Sequence, residues 1–393
     1  MRKIYLDHNA TTPLDKRVFE VMKPYFLEDF GNASSPHQYG RIANQALEDS
    51  RRIVARTIGA KTEEIVFTSG GTESDNLALR GIAYNKRIQR IGHIITSSIE
   101  HHAVIKTCNI LEKDGFSITC LPVDGQGRVD PDDVKKSIRK DTILISLMLA
   151  NNETGVIEPV GEIGEIAMEN NILFHCDAVQ AVGKMAVDVE TLQTDLLSLS
   201  SHKIYGPKGI GALFIRDGVE LSPIITGGHH EMGLRAGTEN IAAIVGFAHA
   251  LKIANEEIDI YQKKILNLRN KLESNILDRI EQVEIYSSKA CRLPHTSCMG
   301  FASVEAESVL LHLDLKGIAA SSGSACTTGE PEPSHVLRAM GVSPELAQGS
   351  IRISLGRENT EDEVDCTVDV LENVVSQLRN ISSQWNNVGQ KAV

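Results

Sequence analysis

The stretch SLSSHKIYGPKG, Ser198–Gly209, decides how the chain is read. An apolar-alternating run from Asp195 to Ser201 stops at the polar group Ser201, His202 and Lys203. A Gly/Pro turn follows, and then a second apolar run, GALFIR. A lysine at a strand end ordinarily stands in solvent, because lysines are almost never fully buried unless paired. Working outward, this strand end has company. Between about residue 60 and residue 220 the runs EEIVFTSG, HIITSS, TILISLMLA, ILFHCDA and DLLSLSS read as strands. Between them HAVIKTCNILEKDG, DPDDVKKSIRK and VGEIGEIAMENN carry apolar residues at helical spacing, the second with Asp130 as a cap and Pro131 after it. Alternating strands and helices predict an α/β fold with a mostly parallel sheet flanked by crossover helices.

Residues 237 to 281 form a long helical stretch, two helices or one bent one, that bridges to a second unit. There TSCMGFAS and GSIRISLGR read as strands, SVLLHLDLKG and PSHVLRAMG as short helices, and TEDEVDCTVDVLENVVSQLRNIS as a closing amphipathic helix. The expectation is a smaller α+β unit beside the larger one.

Composition narrows the function classes. With 393 residues, 41% of them apolar and 23% charged, the chain can bury a large core as an ordinary globular protein. A net charge of −12 argues against nucleic-acid backbones or anionic membranes as main partners. The start, MRKIYLDHNATTP, lacks the apolar core of a signal peptide, and no run approaches the roughly 18 residues that cross a bilayer. A cytoplasmic protein is expected. The seven cysteines are scattered without a CxxC pair, so neither a disulfide framework nor a Cys-rich zinc site is expected, and most should be small buried apolar residues. Cys326 stands apart, in the Ser/Gly/Thr/Pro-rich segment SSGSACTTGEPEPSH, which reads as an exposed loop.

In open α/β sheets ligands bind beyond the carboxyl ends of the strands. After EEIVF, the residues Thr68 to Glu73 give free N–H groups, a hydroxyl and a helix start, which together form an anion cradle. Its spacing is not that of an NTP-binding loop. The other ends carry Glu100-His101-His102, Asn151-Asn152-Glu153, Asp177 with Gln180, and Ser200, His202 and Lys203. Cradle, imidazole, carboxylate, amides and amine together suit a phosphorylated, planar, nitrogen-containing aldehyde, pyridoxal phosphate, held by Lys203 as a Schiff base. A carboxylate at the pyridine nitrogen keeps that nitrogen protonated, so the ring can accept electrons.

The ordered motifs YLDHNATTPL, GNASSPH, FTSGGTESDNLA, EHHAV, NNETG, DAVQAVGK, SSHKIYGPKGIGAL, GLRAGTEN, SSGSACTTG, EPSHVLRAMG and IRISLGR resemble those of the cysteine desulfurases of the NifS/IscS type, in the class-V, fold-type I group of pyridoxal phosphate enzymes. The least typical places are His8, Cys176 and GGHHEMG, Gly227–Gly233. The resemblance implies the pyridoxal-phosphate-dependent transferase fold. It implies a large domain over 15–255, and a small domain made of 1–14 and 256–393 that carries the Cys326 loop. It further implies that Lys203 carries the cofactor, Asp177 pairs with its ring nitrogen, Gln180 bonds its ring hydroxyl and His101 stacks on the ring. Gly71, Thr72, Ser200 and His202 would hold the phosphate, with Thr238 reaching it from the other subunit of a homodimer. Asn152 and Arg352 would bind L-cysteine, with Asn32 as a further substrate-side candidate. Lys203, which would move the Cα proton, His101 and Cys326 would be the catalytic residues, and Cys326 would take the sulfur as a persulfide for an acceptor protein, such as a cluster-assembly scaffold or a tRNA-thiolation relay. No metal is implied. The rivals are a related lyase or aminotransferase, selenocysteine lyase nearest, and a non-enzymatic sulfur carrier with a vestigial cofactor site.

Overall fold

The computed structural model describes residues 3–85, 91–322 and 334–381. Its larger sheet has seven strands, in the spatial order Ile65–Thr68, Gly211–Ile215, Leu196–Ser200, Leu173–Asp177, Thr142–Met148, His93–Ser97 and Ser117–Leu121. Four neighbouring pairs are parallel, and Gly211–Ile215 runs antiparallel to both of its neighbours. The strand residues sort by parity. Ile65 and Phe67 pack in one apolar cluster and Val66 in another, while Leu197 and Leu199 face opposite to Leu196. Two cores, one on each face of the sheet, follow from that period of two. Helices Gln38–Thr57 and Ile241–Glu256 cover one face, and Gly71–Ala83 with His102–Lys113 cover the other.

The edge strand Ser117–Leu121 was not among the expected strands. Its residues are mostly half-exposed, so SITCL has none of the apolar continuity that marks the inner strands. The long helical stretch is two helices, Ile241–Glu256 and Ile258–Arg279, the first packed on the large sheet's helices and the second against Glu361–Ile381. A four-stranded antiparallel sheet, Ser321–Ser322, Ser350–Ser354, Thr296–Phe301 and Val283–Ile285, lies under the second helix pair around a third apolar cluster. The N-terminal strand Ile4–Tyr5 pairs in parallel with Ile318–Ala319, which ties the chain start to this smaller unit and leads Asp7 to Ala10 back across the large sheet.

The expectation of mostly buried cysteines needs correction. Of the six described, Cys108, Cys176 and Cys298 are buried, whereas Cys120, Cys291 and Cys366 are exposed. Cys120 sits on the edge strand, Cys291 in a connection and Cys366 on the outer face of the closing helix.

Candidate active site

The strand Leu196–Ser200 ends in one tight helical turn, Ser201–Lys203, which swings Lys203 over the end of the sheet. There its Nζ donates to the backbone carbonyls of Asn9 and Ala10, the latter at 2.9 Å. Burial and then the positive charge of Arg352 push the Lys203 amine down to about 8, against the opposing pull of Asp7 and Asp177. A lysine of that kind is a partly neutral amine near pH 7, as a carbonyl-attacking nucleophile has to be.

Lys203 lines a cavity of about 310 Å³ at the carboxyl ends of the parallel strands. The same cavity is walled by Gly71, Thr72, His101, Asn152, Asp177, Gln180, Ser200, His202 and Arg352. One end is a cradle. Gly70 (φ 149°) turns the chain into helix Gly71–Ala83, whose first N–H groups have no partner within the helix. A Cβ at Gly71 would stand 2.6 Å from Val179 Cγ2, so the close approach needs glycine. Ser200 Oγ is buried there with no hydrogen-bond partner. A more open hollow, lined also by Thr11, Ser69 and Lys208, adjoins it. A buried hydroxyl left unpaired beside free helix N–H groups is the arrangement a phosphate fills.

Asp177 is the last residue of its strand and is buried, with Oδ1 accepting from Val179 N at 2.9 Å. Burial raises its carboxyl to about 6, against the pull of that N–H and of Lys203. His101 caps helix His102–Lys113, with its Nδ1 accepting from Ala103 N at 3.1 Å, so the neutral ring keeps its proton on Nε2. Burial and then Lys203, His102 and His335 push it down to about 4. A neutral, flat ring thus faces the cavity. His202 is likewise pushed down to about 4, first by burial, and its Nδ1 lies 3.2 Å from Thr11 Oγ1. Gln180 is fixed at both ends: Nε2 donates to Asn9 O at 3.0 Å and Oε1 accepts from Lys184 Nζ at 3.2 Å. One Nε2 hydrogen remains for a ring hydroxyl. These residues fit a phosphorylated pyridine aldehyde.

Opposite the cradle, Arg352 comes from the smaller sheet. Its Nη1 donates to Asn152 O at 2.9 Å and its Nη2 to Asp7 Oδ1 at 2.8 Å, while Nε is buried and unpaired. The guanidinium is therefore aimed into the cleft with donor capacity to spare.

Two expected residues are not brought to this cavity. Asn32 is exposed, and its Oδ1 closes a local turn by accepting from Ser34 N at 2.9 Å and Ser34 Oγ at 2.6 Å. Thr238 is exposed and lines no part of this chain's cavity. Cys326 lies outside the described residues. Sequence reasoning missed Asn9, Ala10 and Asp75, all of which line the cavity. For Asp75 a signal existed: it stands four residues after Gly71 and so on the same helix face.

Residues 4–366 match the model of the class-V aminotransferase family. A protein of Dictyoglomus turgidum named cysteine desulfurase IscS is 52% identical over 376 residues, spanning 96% of this chain and 95% of its own. A protein of the same name from Methanosarcina thermophila is 50% identical, over 96% of this chain and 93% of its own. Among solved structures, one titled NifS-like protein superposes with a TM-score of 0.90 at 40% identity, covering 95% of this chain and all of that one. Another, SspA in complex with cysteine, gives a TM-score of 0.80 at 39% identity over 90% and 99% of the two chains.

Proposed function

The chain belongs to the class-V aminotransferase family and is a cysteine desulfurase dependent on pyridoxal phosphate, and from that premise we propose which residues perform the reaction. The observation that carries the assignment is the single cavity that joins the amine of Lys203, the carboxylate of Asp177, the unpaired hydroxyl of Ser200 and the half-free guanidinium of Arg352.

Bound there, pyridoxal phosphate supplies a carbonyl for the substrate amine and a ring that accepts the electron pair released at Cα. Gly71, Thr72, Ser200 and His202 would hold its phosphate, Asp177 would pair with its ring nitrogen, Gln180 would bond its ring hydroxyl, and His101 would stack on its ring. Arg352 and Asn152 take the carboxylate of L-cysteine and set its Cα–H bond toward Lys203. Lys203, freed as an amine, removes that proton and returns one as product forms; its lowered proton affinity suits both directions. The Cys326 thiolate attacks the substrate sulfur. The new S–S bond forms as the Cβ–S bond breaks, its electron pair stays on carbon, and protonation gives L-alanine and a Cys326 persulfide.

The described flanks of the Cys326 segment support its part in this. Ser321 is paired in register with Arg352, and Ser334 Oγ bonds the carboxylate of Glu153, next to Asn152. The persulfide then passes to an acceptor protein serving cluster assembly or tRNA thiolation. The working unit is a cytoplasmic homodimer in which the partner's threonine at position 238 completes the phosphate site. Exposed Phe26, Leu27, Phe30 and Tyr39 support such an interface, the last two stacked at 5.5 Å. The large and small domains divide near residue 255, between the two long helices. Among the described residues no helix is long and apolar enough to cross a membrane.

The test is a single turnover with L-cysteine. Alanine should form with one sulfur added to the Cys326 peptide by mass spectrometry. Alanine without sulfur on Cys326, or with sulfur on another cysteine, would remove Cys326 from the mechanism.

A further inference from the structure

Two carboxyl groups, not one, look into the floor of the cavity. Asp75, on helix Gly71–Ala83, is 1% exposed and lines the same space as Asp177. Its Oδ1 has no hydrogen-bond partner. Among the described residues no lysine or arginine forms an ion pair with it, and His175 Nε2 stands 3.7 Å from it. That histidine is tied elsewhere, with Nδ1 2.8 Å from Ser146 Oγ and Nε2 3.0 Å from Ser198 Oγ. Burial pushes His175 down to about 3, so it is neutral. Ser146, His175 and Ser198 are thus linked in a row, and the Ser198 hydroxyl acts on Asp75.

The other titratable groups around the pair bring no cation to Asp75. Glu100 is a third buried carboxyl, accepting from Ser97 Oγ at 2.5 Å and Met148 N at 3.2 Å. Burial holds Cys108 and Cys176 as neutral thiols, and His101 is neutral. Lys203, the nearby cation, acts on Asp177. Two buried carboxylates that line one cavity, with the charge of Asp177 acting on Asp75, disfavour ionisation of both. Asp177 has a backbone N–H and the field of Lys203 to stabilise its charge, whereas Asp75 has only a serine hydroxyl. Burial and then Asp177 raise the Asp75 carboxyl well above its ordinary value.

We infer that Asp75 stands in the working enzyme as an un-ionised carboxylic acid, so that a single negative charge, that of Asp177, faces the ring nitrogen of the cofactor. Asp75 is on this account a positioning residue that fixes the charge of its neighbour. The inference rests on Asp177 being the ring-nitrogen partner.

Nitrogen-15 NMR of the holoenzyme loaded with ring-labelled pyridoxal phosphate, followed from about pH 6 to about pH 9, separates the two. At neutral pH the wild type and Asp75→Asn should show the same protonated ring nitrogen, because a neutral amide replaces a neutral acid. Loss of the ring proton in Asp75→Asn at neutral pH would mean that Asp75 is an anion and overturns the inference. A ring nitrogen already unprotonated in the wild type at neutral pH would instead defeat the Asp177 assignment. If the asparagine variant does not fold, Asp75→Ser is read in the same way, and infrared spectra at neutral pH should lose one un-ionised carboxyl band relative to wild type. An unchanged carboxyl band counts against the inference.

Discussion

The floor and the rim of the cavity are built on different terms. The floor comes from one sheet, at the ends of adjacent strands and the helix that follows one of them, and it leaves Ser200 Oγ and Asp75 Oδ1 buried and unpaired. The rim comes from distant parts of the chain, and its groups already hold one another: Arg352 binds Asp7 and the Asn152 carbonyl, and Lys203 binds the carbonyls of Asn9 and Ala10. An unpaired buried polar atom costs about 1–3 kcal/mol, which a resident ligand that pairs it returns as affinity. Groups that pair with each other can exchange partners at every turnover. The floor suits a cofactor that stays, and the rim suits a substrate that comes and goes.

Lys203 belongs to both regions, and breaking it should have the largest effect. Lys203→Ala should lower alanine formation at least about a thousandfold while the circular-dichroism melt stays cooperative, because the residue is a proton carrier and an attachment point and carries no part of the core. A steady-state assay near the wild-type rate would refute the comparison at its hinge.

Arg352→Ala separates the rim from the floor. The Michaelis constant for cysteine should rise by an amount equivalent to about 2–4 kcal/mol, with the bound cofactor's absorbance retained. An unchanged Michaelis constant, or cofactor loss, would show that the division between the regions is false. Ser200→Ala is the complementary change. Removing one charge-assisted hydrogen bond should weaken cofactor binding by about 1.5–3 kcal/mol in equilibrium dialysis and leave the Michaelis constant of the loaded enzyme nearly unchanged.

The smallest expected effect is a pH shift. Lys203 has its amine lowered, so the neutral form that attacks the cofactor's carbonyl grows as pH rises towards about 8. Loading of the apoenzyme should accelerate over that range and then level off. Asp7 opposes the lowering, so Asp7→Asn should move the loading profile to lower pH by less than about one unit. A move to higher pH in stopped-flow absorbance would have the wrong sign.

The two regions also differ in how legible they were. Asp177 and Ser200 in the floor could be read because each ends an apolar run, and such runs are buried on both faces and leave continuous signals. The rim depends on pairings that local sequence does not encode. Arg352 and Asp7 are 345 positions apart, and Asn9 is held by Thr296 across a similar separation. The motif resemblance gave Arg352 its expected role, but the contacts of Asn9 and Ala10 with Lys203 came only from the fold. Asp75 was missed, although helix phase sets it on the same face as Gly71. Lys203 itself sits in a tight helical turn, where the sequence read only a strand end.

The account turns on which lysine carries the cofactor, and two stand near the cavity, Lys203 half-buried and Lys184 buried. Lys203 lines it, whereas Lys184 stands behind Gln180, holds its Oε1 and lines a smaller space with His8, Tyr205 and Tyr261 that Lys203 also reaches. Borohydride reduction of the loaded enzyme followed by peptide mapping fixes the attachment point. The predicted result is the reduced pyridoxyl group on Lys203 alone; finding it on Lys184 would contradict the account.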